Sequence, residues 1–203
     1  TAAPGQLFAL NASTLSERRG ARRASLKDRC AKAAELATND QPCVIWCNLN
    51  DEGTLLEKLI PDAVEVAGRH TIEQKEERLA AFTAGDIRCL ITKPKIGGFG
   101  LNWQHCANTV IFPTDSWEQW YQMVRRFWRF GQERPVNVHA VASESEVTVI
   151  ENLKRKEKDA GIMFDGIAAA MSELSVEQIR KTERQTTNYT PTERMELPRW
   201  LTM

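Results

Sequence analysis

Five short runs of apolar, β-branched residues recur through the middle of the sequence, and they constrain the fold more than any other feature. Most are too apolar to leave one face in water, which is typical of strands that are buried on both sides. Because helical stretches separate the runs, we predict βαβ units, an α/β fold with a parallel sheet sandwiched by helices. The runs are CVIWCNL (43–49), AVEVA (63–67), IRCLIT (87–92), NTVIF (108–112) and VNVHAVA (136–142).

Three helices are predicted between these strands, at 52–59, 72–83 and 116–130. Two of them begin with a capping box, in which a polar side chain and a Gln three positions later satisfy the first free N–H groups of a helix. Two glycines stand where a helix commonly ends with a left-handed residue. The capping pairs are Thr71 with Gln74 and Ser116 with Gln119, and the glycines are Gly85 and Gly131.

Both ends of the sequence are predicted to be helical extensions of a central domain. A helix from about 14 to 38 begins at a capping box formed by Thr14 and Glu17. A second helical region follows residue 143 and weakens toward Arg184. We place the N-terminal helical extension at 1–40, the central α/β domain at 41–145, and the C-terminal helices and tail at 146–203.

Two basic clusters lie on these extensions. Such clusters usually form a solvated helix face, and contact with nucleic acid is the alternative. The net charge does not decide between the two, because 27 basic and 27 acidic side chains cancel. This balance excludes a globally basic nucleic-acid binder but not a local basic face. The first cluster is Arg18, Arg19, Arg22 and Arg23, and the second is KRKEK at 154–158.

The cysteines and the hydropathy of the sequence predict where the protein works. Five cysteines is an odd number, and they lie in apolar segments, which fits a reducing compartment better than a disulfide framework. Cys43 and Cys47 fall on one face of a predicted strand, so we expect them in the core rather than in a metal site. No apolar run approaches the roughly 20 residues of a membrane span. We therefore expect no membrane partner and a cytoplasmic or nucleoid-associated location.

A glycine-rich loop, TKPKIGGFGLNW, follows the third predicted strand at 92–103. In parallel sheets ligands gather at the loops beyond the carboxyl ends of strands. Three glycines in four positions let the backbone approach a ligand closely and present N–H groups to phosphate. The sequence contains no GxxxxGK[ST], so this loop is not a Walker A loop. A tight connection without a ligand stays the alternative.

The segment SWEQWYQMVRRFWRFGQ carries two arginines three positions apart, Arg126 and Arg129, with Gln122 four positions before the first. On the predicted helix all three share one face. Guanidinium groups are always ionised and bind bidentately, so such a pair can neutralise the charge of a transferring phosphoryl group. The alternative is a surface helix with salt-bridged arginines. The aromatic residues of the segment are predicted to be core; they are Trp117, Trp120, Phe127 and Trp128.

Together these two segments resemble motifs V and VI of superfamily 2 helicases, specifically of the Snf2-like branch. The motif V form, S/T-x-x-x-GG-x-GLN, is matched from Thr92 or Lys93 to Asn102, and VIWCNLN looks like motif IV. The resemblance covers roughly residues 43–142. The motif VI form, Q-x-x-x-R-x-x-R-x-GQ, is matched at every fixed position, by Gln122, Arg126, Arg129, Gly131 and Gln132.

The resemblance implies the RecA-like C-terminal lobe of an ATP-dependent DNA helicase or translocase. Arg126 and Arg129 would be arginine fingers that reach the terminal phosphates of ATP. The lobe's partners would be DNA, double-stranded and bound through its backbone, and an N-terminal RecA-like lobe of the same polypeptide, which would hold most of ATP and Mg²⁺. Without that lobe we expect no turnover. The cleft would be lined by Gln122, Gly98, Gly100 and Asn102, and the DNA side by Asn48, Gly68, Arg69, Thr71, Thr92 and Lys93.

The sequence departs from the family pattern between the two fingers. Family members usually carry small or polar residues there, where this sequence has Phe127 and Trp128. The approach to motif VI, from Asp115 to Gln122, is also shorter than is usual in the family. Two other functions stay open: a RecA-like module that binds nucleic acid or protein without driving hydrolysis, and an RNA helicase, which shares the same lobe.

Overall fold

The computed structural model describes residues 15–97 and 101–181. These residues form two compact units, the first ending at Asp159 and the second beginning at Ala160. The predicted capping residue Thr14, the loop glycines Gly98 and Gly100, and the tail after 181 lie outside the described residues.

The first unit is built on a five-stranded sheet in which every pairing is parallel, in the order β2-β3-β1-β4-β5. All five predicted strands are present, so the predicted α/β fold is confirmed. Cys43 of β1 lies opposite Cys89 of β3 and Asn108 of β4, which brings the carboxyl ends of neighbouring strands to one edge. The strands are β1 (Cys43–Trp46), β2 (Ala63–Val66), β3 (Cys89–Thr92), β4 (Asn108–Ile111) and β5 (Asn137–Ala140).

Helices cover the sheet, and two of them differ from the prediction. The first predicted helix is interrupted at Ser25, and the predicted helix 116–130 ends at Val124. The capping residues Thr71 and Ser116 accept hydrogen bonds as predicted, and the left-handed Gly85 ends α4. The helices are α1 (Leu15–Ala24), α2 (Leu26–Leu36), α3 (Asn50–Leu59), α4 (Ile72–Ala84), α5 (Pro94–Gly97), α6 (Trp117–Val124) and, after a 3₁₀ turn at Glu144–Glu146, α7 (Val147–Lys181).

All four side chains of strand β1 are buried. Since successive side chains of a strand point to opposite sides of the sheet, β1 is covered on both faces. Cys43 and Ile45 join a core beneath α2 and α3, whereas Val44 and Trp46 join a core that includes side chains of α4 and α6. Strand β5 differs: three of its four side chains are exposed. It lies at one edge of the sheet beside β4, whereas β2 at the other edge is largely buried.

Helix α2 lies within the first compact unit and packs on its sheet. Cys30, Ala33 and Ala37 are fully buried in the core on one face of the sheet. At the other end of the unit, Val149 and Leu153 of α7 are also buried. The compact unit therefore includes described residues on both sides of the range 41–145. In the second unit the described residues belong to α7, and the side chains at 161–172 are exposed.

Candidate functional site

Three loops at the carboxyl edge of the sheet are joined by side-chain hydrogen bonds. Asn48, after β1, donates through Nδ2 to the carbonyl oxygens of Phe112 and Pro113, both at 3.1 Å. Lys93, after β3, donates through Nζ to Oδ1 of Asn50 at 2.6 Å. The loops after β1, β3 and β4 are therefore held as one surface, at the position where parallel sheets bind ligands.

The turn after β2 continues this surface, since β2 is the neighbour of β3. Gly68 and Arg69 are exposed, and the guanidinium of Arg69 pairs with the buried carboxylate of Glu65. Thr71 caps α4 by accepting a hydrogen bond from the N–H of Gln74 at 3.3 Å. The residues that the resemblance assigns to DNA thus lie along one edge, after strands β2, β3 and β1.

Thr92 requires a correction to that set. Its side chain is fully buried, and its hydroxyl donates to the carbonyl oxygen of Val66 at 3.1 Å. The hydroxyl therefore joins β3 to the end of β2, and it does not face the surface. Lys93, the next residue, is partly exposed and carries the charge at this position.

Arg126 joins the two motifs in space. Its Nη1 donates to the carbonyl oxygen of Leu101 at 2.8 Å, and its own carbonyl oxygen accepts from the N–H of Trp103 at 3.0 Å. Gln132 adds a third link, since its Nε2 donates to the carbonyl oxygen of Gln104 at 2.9 Å. The segment that follows the glycine loop is therefore held along its length by the motif VI turn.

The two arginines lie in turns rather than on a helix, which corrects the prediction of a helix to residue 130. After Val124 the hydrogen-bond pattern changes. The N–H of Arg126 donates to the carbonyl oxygen of Met123 and that of Phe127 to the carbonyl oxygen of Val124, each three positions back, as in a 3₁₀ turn. The left-handed Gly131 follows the turns, seven residues beyond the last residue of α6.

Arg126 and Arg129 differ in environment. Arg126 is only 3% exposed, and its Nη2 donates to Oε1 of Gln122 at 3.2 Å. Burial lowers the pKa of Arg126, and the nearby charge of Arg129 lowers it further, yet an arginine in a protein keeps its proton. Arg129 is exposed and is anchored through Nε, which donates to the carbonyl oxygen of Arg125 at 3.0 Å. The site thus holds one fixed cation and one at the surface.

An aromatic cluster lies beneath the site and explains one departure from the family pattern. Phe127 is fully buried, with its ring centroid 6.1 Å from that of Trp103 and 6.5 Å from that of Trp46. It therefore anchors the motif VI turn in the core, as predicted. Trp128 is not core, contrary to the prediction, because 58% of its surface is exposed.

Of the four cleft residues implied by the resemblance, two are described. Gln122 contacts Arg126, and Asn102 is exposed with its Nδ2 3.2 Å from Oε1 of Gln104. Gly98 and Gly100 lie outside the described residues. Within the described ranges, no group of three or more His, Cys, Asp or Glu side chains could hold a metal ion. No helix in those ranges has both the length and the hydropathy to cross a membrane.

A cluster of buried charges beside the Asn48 loop was missed by sequence reasoning. Arg22, predicted to be solvated, is buried and donates through Nε to Oε1 of Glu146 at 2.8 Å. Arg29 pairs with Glu52 at 2.7 Å. The one available signal was the spacing of the two arginines, seven residues apart, which places them on one face of a helical segment.

Comparison with solved structures identifies the fold. The C-terminal part of the Fun30 ATPase domain matches with a TM-score of 0.53 and 18% identity, over 65% of this chain and 46% of that one. The C-terminal domain of the DEAD-box protein Dbp5 matches with a TM-score of 0.56 and 14% identity, over 66% and 80%. At these identities the likeness shows that this chain shares their fold.

Sequence comparison agrees with the fold. The chain is 24% identical over 126 residues to Protein CHROMATIN REMODELING 20 of Arabidopsis thaliana, and 29% identical over 111 residues to TATA-binding protein-associated factor MOT1 of Saccharomyces cerevisiae. The matches cover 60% and 50% of this chain. The chain therefore has the fold of a C-terminal RecA-like lobe and is similar in sequence to these two proteins. No protein-family model matches it. The RecA-like lobe spans 8% and 6% of the length of these two relatives.

Proposed function

We propose that this RecA-like lobe is the C-terminal motor lobe of an ATP-dependent DNA helicase or translocase. The observation that carries the proposal is Arg126, which is buried, fixed by Gln122, and bonded to the backbone of the motif V segment at 2.8 Å. A guanidinium held in this way needs little reorganisation when charge develops on a nearby phosphoryl group, and such preorganisation is what makes electrostatic catalysis effective.

In this proposal Arg126 and Arg129 have separate tasks at the terminal phosphates of ATP. The fixed Arg126 orients the motif V segment and presents charge from within the lobe. The exposed Arg129 crosses the cleft as an arginine finger, a group that is always ionised and can bind phosphate oxygens bidentately. Gln122 and Asn102 would line the same cleft, and the resemblance implies the same role for Gly98 and Gly100, which lie outside the described residues.

The charges of this lobe suit the phosphates rather than the metal ion. Arg126 and Arg129 are cations, which complement phosphate oxygens, whereas Mg²⁺ takes oxygen ligands such as carboxylates. We therefore assign Mg²⁺ and most contacts with ATP to an N-terminal RecA-like lobe of the same polypeptide. Mg²⁺ would neutralise phosphate charge during hydrolysis, and without that lobe this chain would be inactive.

The DNA would bind along the edge formed by the loops after β2, β3 and β1. Arg69 and Lys93 bring positive charge to this edge, and Gly68 lets a phosphate approach the backbone closely. Asn48 and Thr71 hold the two ends of the row in place. Contacts of this kind position DNA without reading its sequence, as a motor that moves along a duplex requires. Closure of the two lobes on ATP and reopening after hydrolysis would then drive the movement.

The test is the DNA-stimulated ATPase activity of the full-length protein, as wild type and as Arg129→Ala. We expect turnover stimulated by duplex DNA in the wild type and loss of turnover in the variant, with DNA affinity largely kept. Arg129→Ala is preferred to Arg126→Ala, because Arg129 is exposed whereas Arg126 also holds the backbone of Leu101. Lys32→Ala, at an exposed lysine of α2 that pairs with Glu35, is the control and should keep its turnover.

Each substrate arm tests a different part of the proposal. Stimulation by RNA in place of DNA would move the assignment to an RNA helicase. Stimulation by single-stranded DNA alone would contradict the proposal that the substrate is duplex DNA. Retained turnover in Arg129→Ala would contradict the role of the arginine finger. Absence of turnover in a folded wild type that carries an upstream P-loop would favour a non-catalytic binding module.

A further inference from the structure

A row of stacked side chains runs beside Gln122 and Arg126. The rings of Trp117 and Tyr121 stack at 5.2 Å with an interplanar angle of 26°. The guanidinium carbon of Arg125 then lies 5.0 Å from the centroid of the Tyr121 ring and 4.6 Å from that of Trp128. The row therefore continues from α6 into the turn that carries Arg126 and Arg129.

Arg125 fixes Trp128 in this row. The Nε of Arg125 is buried and makes no hydrogen bond within the described residues, so contacts with the two rings hold the guanidinium in place. One face of the Trp128 indole is covered by that guanidinium. The residue is 58% exposed, which leaves ring surface available to a ligand. Trp128 is thus an oriented aromatic surface, in contrast to a side chain that moves freely in water.

The position of Trp128 decides what the open face can bind. In the sequence Trp128 lies between Arg126 and Arg129. It is not part of the loops after β1, β2 and β3, which carry the proposed DNA contacts. A nucleoside triphosphate combines charged phosphates with a flat aromatic base. Arginines and an exposed indole in one turn match both halves of that molecule.

We propose that the exposed ring of Trp128 stacks on the base of the nucleotide whose terminal phosphates Arg129 contacts. The inference rests on the proposed function and adds a base-binding element to it. Every nucleobase has a π face, so stacking supplies affinity with little choice among bases. A lobe built in this way should therefore accept several nucleoside triphosphates.

The experiment measures KM for ATP with the full-length protein and DNA at saturation, as wild type, Trp128→Ala and Trp128→Phe. We expect Trp128→Ala to raise KM by about tenfold and Trp128→Phe to restore most of the affinity, because a phenyl ring still stacks. Ribose 5′-triphosphate, which lacks the base, is tested as a competitive inhibitor in each variant. Its inhibition constant should be the same in Trp128→Ala and in the wild type.

Phe130→Ala is the matched control, because Phe130 is a fully exposed ring on the other side of Arg129. Its KM for ATP should stay within twofold of the wild-type value. An unchanged KM in Trp128→Ala would overturn the inference and leave the proposed function intact. An equal loss of affinity for ATP and for ribose 5′-triphosphate would also overturn it, since packing against the other lobe would then be the role of Trp128. A wild type without ATP turnover would overturn both.

Discussion

The buried Arg29 donates a hydrogen bond to the buried Glu52 at 2.7 Å, and this ion pair joins helix α2 to the loop that carries Asn48. The other carboxylate oxygen of Glu52 accepts from the backbone N–H groups of Asn48 at 2.7 Å and Leu49 at 2.8 Å. Arg29 is held in turn, since it lies 4.8 Å from the centroid of the Phe112 ring. A residue outside the helicase motifs therefore sets the conformation of the motif IV loop.

The ion pair belongs to a larger cluster of charged side chains. Arg22 donates to Glu146 at 2.8 Å, and Nε of Arg29 lies 3.8 Å from the other oxygen of Glu146. Arg22 also lies 3.5 Å from the half-buried Asp115, so two buried arginines are paired with two buried glutamates and one aspartate. The cluster ties α1 and α2 to the start of α7 and to the carboxyl edge of the sheet. Burying an ion pair is costly, but removing one partner costs more, because the other charge is left unpaired.

The first prediction is that Arg29→Met destabilises the lobe by about 3–5 kcal/mol, the cost of leaving a buried charge without its partner. The measurement is urea unfolding of the chain followed by circular dichroism. The double variant Arg29→Met/Glu52→Gln should lose less than the sum of the two single variants, because the two side chains share one interaction. Strict additivity would show that the pair is not coupled.

The matched control is Arg155→Met, which removes an exposed i,i+4 ion pair with Asp159 at 3.1 Å. Such pairs contribute about 0.3–0.5 kcal/mol. A loss as large as that of Arg29→Met would mean that removing any arginine from this chain is costly. The interpretation of Arg29 as a buried anchor would then fail.

The strands could be predicted from the sequence, whereas several buried side chains could not. The five strands could be predicted because each run of β-branched residues carries its own signal. Arg22 could not be placed, because its partner Glu146 lies 124 positions away. Trp128 could not be told from its buried neighbour Phe127, since the local pattern continues the helix past Val124. In the structure the chain instead turns after Val124, and Arg126 bonds to the carbonyl oxygen of Leu101. No local sequence pattern predicts a bond between residues so far apart.

A second prediction concerns Gly97, the first glycine of the motif V run. A Cβ at this position would lie 3.0 Å from Cγ2 of Thr92, 3.1 Å from Cη2 of Trp103 and 3.3 Å from Cζ3 of Trp46. All three groups are buried and rigid, so Gly97→Ala should destabilise the lobe by about 1–3 kcal/mol through overpacking. The measurement is the midpoint of urea unfolding, with ATP turnover of the full-length variant as a second readout of the displaced loop.

Gly161 is the control for this substitution. It lies in α7 and is exposed, and a Cβ there would meet nothing within 4 Å. Gly161→Ala should be neutral or stabilise by up to about 1 kcal/mol, because alanine loses less backbone entropy in a helix. Equal effects of the two substitutions would contradict the tight packing at Gly97.

A third prediction is that no cysteine reacts quickly in the folded protein, although the chain has five. All five are buried and free. Burial raises the pKa of Cys30 and of Cys106 to about 12 each, and it also raises the pKa of Cys47. The neighbouring Cys89 thiol and burial raise the pKa of Cys43. Since the thiolate is the reactive form, Ellman's reagent at pH 8 should label five thiols in urea and none rapidly without it. A thiol that reacts quickly in the native state would contradict this burial.

The last prediction is that acid weakens the lobe partly through His105. Burial lowers the pKa of His105, and the charge of Arg134 lowers it further. The ring packs against Phe82 with centroids 5.0 Å apart, so the neutral form is the one that fits. In acid the folded state therefore binds fewer protons than the unfolded state. The contribution of His105 to the stability of the fold is fully present above the unfolded pKa of about 6.5, and it is lost as the pH falls through the lowered pKa of the folded state. His105→Phe should therefore lose less stability than the wild type between pH 7.5 and pH 5, measured by urea unfolding at both values. Equal losses would show that protonation of His105 does not oppose folding.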